Sequence, residues 1–150
     1  MVTGSRAEFG LLQNLMHDIK QASDLNLQVI ATGMHLSPKY GFTYREIEAA
    51  DFIIDHKIDM LLSSDSAPAV TKSVGLGTIG FADAYAALKP DILVLLGDRF
   101  EMLAAATAAL IAGIPIAHLH GGEITEGAFD DAIRHALTKM SHLHFVANSE

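Results

Sequence analysis

Three short stretches of this sequence gather side chains that could move protons or hold anionic groups. Gly97-Asp98-Arg99 sets a carboxylate beside a guanidinium directly after an all-apolar run. At the carboxyl edge of a strand such a pair could take a proton and steady an anion. Asp98 could equally cap a helix that begins near Phe100. The second stretch is His118-Leu119-His120-Gly121-Gly122-Glu123. Residues two apart on a strand face the same way, so His118, His120 and Glu123 together suggest a zinc site. Against the metal, no third histidine stands at convincing spacing, and His135, His142 and His144 would have to be brought in by the fold. The plainer reading is that Gly121-Gly122 makes a tight turn or lets backbone approach a substrate, with Glu123 beyond it.

The third stretch is Asp130-Asp131-Ala132-Ile133-Arg134-His135. Paired acids favour the first turn of a helix, and Asp130 to Arg134 has the spacing of an ion pair within it. A capped helix explains the stretch, and so do carboxylates converging on one cleft for proton transfer. Lys139 and His142 read first as cations at that helix's C-terminus. Gly75-Leu76-Gly77-Thr78-Ile79-Gly80 matches a dinucleotide fingerprint. That motif needs a strand before it and a helix opening after it. The preceding residues, 66–73, read as a helix start, so these glycines are expected to let a helix pack closely on a sheet.

These side chains need a scaffold, and the apolar pattern supplies one. Residues 27–31 (LQVIA), 52–54 (FII), 91–96 (DILVLL), 114–117 (IPIA) and 144–147 (HFVA) read as strands. Residues 11–21, 67–88, 100–112 and 129–140 have helical composition or spacing, and 33–45 is expected to be a long, mobile loop. The alternation predicts an α/β fold, a Rossmann-like doubly wound parallel sheet that binds ligands at its carboxyl edge. Both ends look unfinished: Thr3-Gly4-Ser5-Arg6 resembles the turn after a first strand cut to two residues, and the chain stops just after a strand.

Composition bounds the partners. The 150 residues carry 10 Lys+Arg against 18 Asp+Glu, a net charge of -8, which argues against nucleic acid or an anionic membrane surface. Half of the residues are hydrophobic, enough for one domain with a real core. There are no cysteines, so disulfides and a thiol nucleophile are excluded. No apolar run approaches a membrane span or a signal peptide, and a cytoplasmic location is expected.

Taken in order, TGSRAEFGLL, GMHLSP, GFTYREIE, SVGLG, LKPDILVLLGDRFEMLAAA and HLHGGEITEGAFDDAIRHALTKMSHLHF resemble the hydrolysing UDP-N-acetylglucosamine 2-epimerases of sialic and related nonulosonic acid synthesis. The likeness runs along nearly the whole chain. It implies the N-terminal half of a two-domain glycosyltransferase-B-type fold, with the active site between two Rossmann-like halves and most of the UDP held by the half not present here. The implied reaction turns UDP-N-acetylglucosamine and water into N-acetylmannosamine and UDP. It proceeds by elimination to a 2-acetamidoglucal followed by hydration, with no cofactor and no metal. By motif match, Asp98, Asp130 and Asp131 correspond to family acids and Arg6 to a phosphate contact. Arg134 and His135 match a pair that lines the sugar, and Gly4, His35 and Arg99 join the substrate-binding set. Several family members carry a glutamate where this chain has His120, so His120 or Glu123 is expected to take its proton-transfer role. The resemblance also allows a substrate that is a UDP- or GDP-linked 2,4-diacetamido-trideoxy sugar. A nucleotide-sugar-binding half without turnover, and a metal-dependent hydrolase built on His118, His120 and Glu123, are the readings from other classes. Family enzymes are oligomeric, and the helix over residues 103–111 could contribute an interface or belong to the core.

Overall fold

The computed structural model describes residues 1–121 and 129–147. Strands and helices alternate. The strands are β1 (Val2–Thr3), β2 (Ile30–Thr32), β3 (His56–Ile58), β4 (Leu93–Leu96), β5 (Ile116–Leu119) and β6 (Leu143–Phe145). The helices are α1 (Arg6–Gln21), α2 (Tyr44–Ala49), α3 (Ala67–Leu88), α4 (Phe100–Ala112) and α5 (Asp130–Met140). Among the described residues all strand pairs are parallel, in two ladders ordered β1-β2-β3 and β4-β5-β6. The ladders meet along β1 and β4. The spatial order is therefore 3-2-1-4-5-6, and the β1/β4 seam is the point where chain direction across the sheet reverses. In a doubly wound fold that crevice is where ligands bind.

Period-two alternation explains why both faces of the sheet are covered. Val2, Ile30, Leu93, Leu95 and Ile116 point into one cluster with the inner faces of α3, α4 and α5. Met1, Val29, Ala31, Val94 and Leu96 point into the other, against Phe9, Leu12 and Met16 of α1 and Ile47 of α2. No helix among the described residues is long and apolar enough to cross a membrane. In α4, residues Met102 to Ala106, Ala108 and Ala109 line the core, apart from partly buried Leu103, whereas Leu110 and Ile111 at its far end are exposed.

Several boundaries differ from the sequence reading. Residues 52–54 are not a strand: Asp51 ends the α2 region at a positive φ of 64°, and Phe52 folds under α1 against Phe9, with ring centroids 6.1 Å apart. The strand itself comes later, at β3. β2 begins at Ile30 rather than Leu27, because the Val29 amide donates to the Asp55 side chain (2.7 Å) instead of a ladder partner. The expected loop at 33–45 contains two 3₁₀ turns, Gly33–Leu36 and Pro38–Tyr40, and the start of α2. The glycine motif lies inside α3, as a packing device. A Cβ on Gly77 would come within 2.6 Å of the Met60 side chain, and one on Gly80 within 2.5 Å of Ile58. These small residues let α3 lie close on β3.

Candidate active site

The turns after β1 and β4 flank the seam, and each is fixed by buried polar contacts. After β1, Ser5 caps α1 and Glu8 returns the contact: the amides of Gly4 (2.6 Å) and Ser5 (3.0 Å) both donate to Glu8 Oε2. The second Glu8 oxygen is buried without a hydrogen-bond partner among the described residues, 3.8 Å from Arg99 Nε. Burial pushes the Glu8 carboxyl up to about 7, with the two amides and Arg99 opposing that rise.

After β4, Gly97 adopts a positive φ of 76° and sends Asp98 and Arg99 over the sheet edge. Arg99, not Asp98, stands at the N-cap of α4, so Asp98 is not spent on capping. Asp98 instead accepts from Arg134 of α5, through Nε at 3.0 Å and through Nη2. Both side chains are largely enclosed, 18% and 11% exposed. Arg99 forks the fully buried Glu101, Nη2 to Oε1 at 2.8 Å and Nε to Oε2 at 3.2 Å. Burial works against the Arg99 charge, yet Glu101, Glu8 and Asp130 together hold the guanidinium above its ordinary pKa. The influence of Asp130 links the start of α5 to the same cluster.

His118 and His120 do not share a face. His118 is buried on β5, with its Nε2 2.7 Å from the Gly97 carbonyl and its Nδ1 3.3 Å from Thr138 Oγ1. Burial lowers its pKa, so as neutral imidazole it donates from Nε2 and steadies the Gly97 turn. His120 lies past the strand end, exposed, in left-handed backbone with φ 59°. The change from extended to left-handed backbone at His120 is what parts the buried ring from the exposed one. Gly121 passes so near His118 and Thr138 that a Cβ would sit 2.8 Å from the ring. Its close approach is thus to the protein's own histidine. Gly122 and Glu123 lie outside the described residues.

The remaining predicted positions spread around this edge. His135 lies 3.6 Å from Asp131 on the exposed side of α5, while Arg134 turns inward to Asp98. Arg6 begins α1 with its side chain 76% exposed, paired to the half-exposed Glu46 at 3.0 Å. Gly4 packs against Glu8 and Glu101. His35 is fully buried between Thr3 (2.9 Å) and Thr43 (2.8 Å), and burial pushes its pKa down to about 4. It braces the β1 edge from within.

Sequence reasoning passed over Glu8 and Glu101, though both left a signal. Glu8 follows Ser5 by three, the spacing of a capping box. Glu101 lies three, four and seven residues before Ala104, Ala105 and Ala108, on the buried stripe of an otherwise apolar helix. A charge on that stripe needs a buried partner, and Arg99 is that partner.

The chain is thus a doubly wound α/β domain whose seam presents acids held by arginines. Comparison with known proteins narrows the class. The model of the family described as UDP-N-acetylglucosamine 2-epimerase matches residues 17–150, and the chain belongs to that family. It is 53% identical, over 99% of its length, to the GDP/UDP-N,N'-diacetylbacillosamine 2-epimerase (hydrolyzing) of Campylobacter jejuni. It is 44% identical, over 97%, to the UDP-N,N'-diacetylbacillosamine 2-epimerase (hydrolyzing) of Legionella pneumophila. The chain spans 38% of the length of each. Its fold matches a crystal structure of UDP-GlcNAc 2-epimerase from Neisseria meningitidis bound to UDP-GlcNAc, with a TM-score of 0.84 at 19% identity, covering 99% of this chain and 40% of that one.

Proposed function

We propose that this chain forms the sugar-facing N-terminal part of a hydrolysing 2-epimerase that acts on a nucleotide-linked 2,4-diacetamido sugar. The observation that carries the reading is the convergence of Asp98, Arg134, Arg99 and Asp130 on the β1/β4 seam. The choice of sugar rests on the two relatives at 53% and 44% identity, both named for diacetylbacillosamine substrates. UDP-N-acetylglucosamine, the substrate that the sequence motifs suggest first, becomes the second reading, supported by the family's description.

The chemistry follows from the acidity of the sugar. In the elimination, a carboxylate removes the C2 proton while the C1–O bond to the diphosphate breaks, so a C1–C2 double bond forms and the nucleoside diphosphate leaves with the electron pair. Water then adds its hydroxyl to C1, and a proton reaches C2 from the opposite face, inverting that centre. Asp98 is assigned the C2 proton, since Arg134 holds the carboxylate in place through Oδ2 and a placed base acts only within hydrogen-bond reach. A second proton-transfer group is needed for the other face, and His120 or Glu123 fills it. Arg6, exposed at the rim, is assigned to the diphosphate. The nucleotide's remaining contacts belong to the portion of the enzyme that the relatives carry beyond this segment.

The direct test is release of nucleoside diphosphate by the full-length protein, offered the UDP- and GDP-linked diacetamido sugars and UDP-N-acetylglucosamine in parallel. The reading predicts the highest kcat/KM with a diacetamido sugar. Faster turnover of UDP-N-acetylglucosamine would restore the second reading, and release from none of the three would remove both.

A further inference from the structure

Arg99 differs from Arg6 in one respect that bears on what each can bind: the protein has already neutralised it. Its guanidinium is forked by Glu101, which has no solvent exposure, and Glu8 stands 3.8 Å from Nε. Asp130 adds a further negative charge nearby. Glu101 has no room to swing away, because it lies under Gly33 (φ 57°), where a Cβ would come within 2.6 Å of Oε1, and against Gly4. The local charge around Arg99 is therefore zero or negative, and a diphosphate brought to it would meet repulsion rather than a cation.

The β1–α1 turn makes the same point independently. That turn is where a doubly wound fold offers free amides to a phosphate. Here the amides of Gly4 and Ser5 are taken by Glu8. What remains to Arg99 is hydrogen bonding: a guanidinium has five N–H donors, and Glu101 engages Nε and Nη2. The side chain is 30% exposed, so a ligand can reach it.

Resting on the function proposed above, we propose that Arg99 is a specificity-determining residue that binds a neutral hydrogen-bond acceptor of the sugar, an N-acetyl carbonyl or a hydroxyl, and not the diphosphate. Glu101 is its positioning residue, and Glu8 locks the neighbouring turn. Arg6, exposed and paired only weakly to Glu46, is left as the phosphate-facing cation of this edge.

The test compares the nucleotide sugar with the free nucleoside diphosphate in the full-length protein. Arg99→Lys and Glu101→Gln should each lower kcat/KM for the nucleotide sugar by about 10- to 100-fold, the loss expected for one charged hydrogen bond. In Arg99→Lys the inhibition constant of UDP or GDP alone should stay within about twofold of wild type, because a neutral-acceptor contact contributes nothing to it. In Glu101→Gln it should hold or tighten, and Glu101→Asp should recover part of the lost kcat/KM. Should Glu101→Gln fail to fold, the partly exposed Arg99→Lys decides alone. Loss of UDP or GDP binding in parallel with the nucleotide sugar, or an unchanged kcat/KM, overturns the proposal. A wild-type protein that releases nucleotide from none of the sugars fails the function reading instead, which keeps the two failures apart.

Discussion

The two halves of the sheet end very differently at their shared carboxyl edge. Past β2 the contact that braces the edge is neutral: His35, uncharged at physiological pH, bridges Thr3 and Thr43 through both ring nitrogens. Past β4 and β5 the packing is ionic, with Arg134 on Asp98 and Arg99 on Glu101. The first half gains shape at little electrostatic cost. The second keeps charges where burial disfavours them, an arrangement that stability alone does not ask for and that the proposed proton transfer would use. Glu8 stands on the boundary, amide-bound like the first half and facing Arg99 like the second.

That contrast can be broken from the ionic side with the largest effect. Asp98→Asn keeps the side chain's shape but removes the base, so kcat should fall by about 10²- to 10⁴-fold. Because the enclosed Arg134 loses its carboxylate, the thermal midpoint should fall as well, so turnover is compared where both proteins are folded; near-native turnover there would remove Asp98 from the mechanism. Arg134→Ala leaves the enclosed Asp98 carboxylate without this partner and should cost on the order of 3 kcal/mol in urea unfolding. A loss well under that would mean the pair is no more than a surface contact.

Glu8 sharpens the comparison through pH. Its carboxyl is raised from 4.5 to about 7, so between those values the folded protein holds a proton that the unfolded chain has released. Stability must therefore fall as pH rises through this window and level off above it. Glu8→Gln removes that dependence, and its stability relative to wild type should climb by on the order of 3 kcal/mol across the window. A parallel pair of stability–pH curves would show that Glu8 titrates normally. The smallest effect belongs to the glycines of α3. Nothing lies within 4 Å of a Cβ on Gly75, so Gly75→Ala should stabilise the helix by up to about 1 kcal/mol and leave turnover intact. Lost turnover there would revive a ligand-binding role for that motif.

The fold was legible where one physical signal dominated. The all-apolar run before Gly97 announced a central strand, and the ends of α3 and α4 match where Pro and Gly flank them, not where Asp98 reads as a cap. Residues 52–54 misled because three apolar residues fit a strand or a buried turn equally well. The region 33–45 hid its turns and the start of α2 because short helical segments carry too little periodicity to register. At the site, the clusters around Asp98 and Asp130 were visible as types and spacing. Which arginine would meet which acid was not, since Arg134 reaches across 36 residues to Asp98. The split between His118 and His120 depended on one left-handed residue, a backbone choice that side-chain spacing cannot reveal.

The measurement that bears most directly on the account is proton NMR of the full-length wild-type protein in D2O with the UDP-linked diacetamido sugar. The account predicts free UDP and a 2-epimerised sugar carrying one deuterium at C2, the mark of proton loss and return at that carbon. A released sugar that keeps its original C2 proton would mean simple hydrolysis at C1, and the assignment of Asp98 to the C2 proton would be wrong.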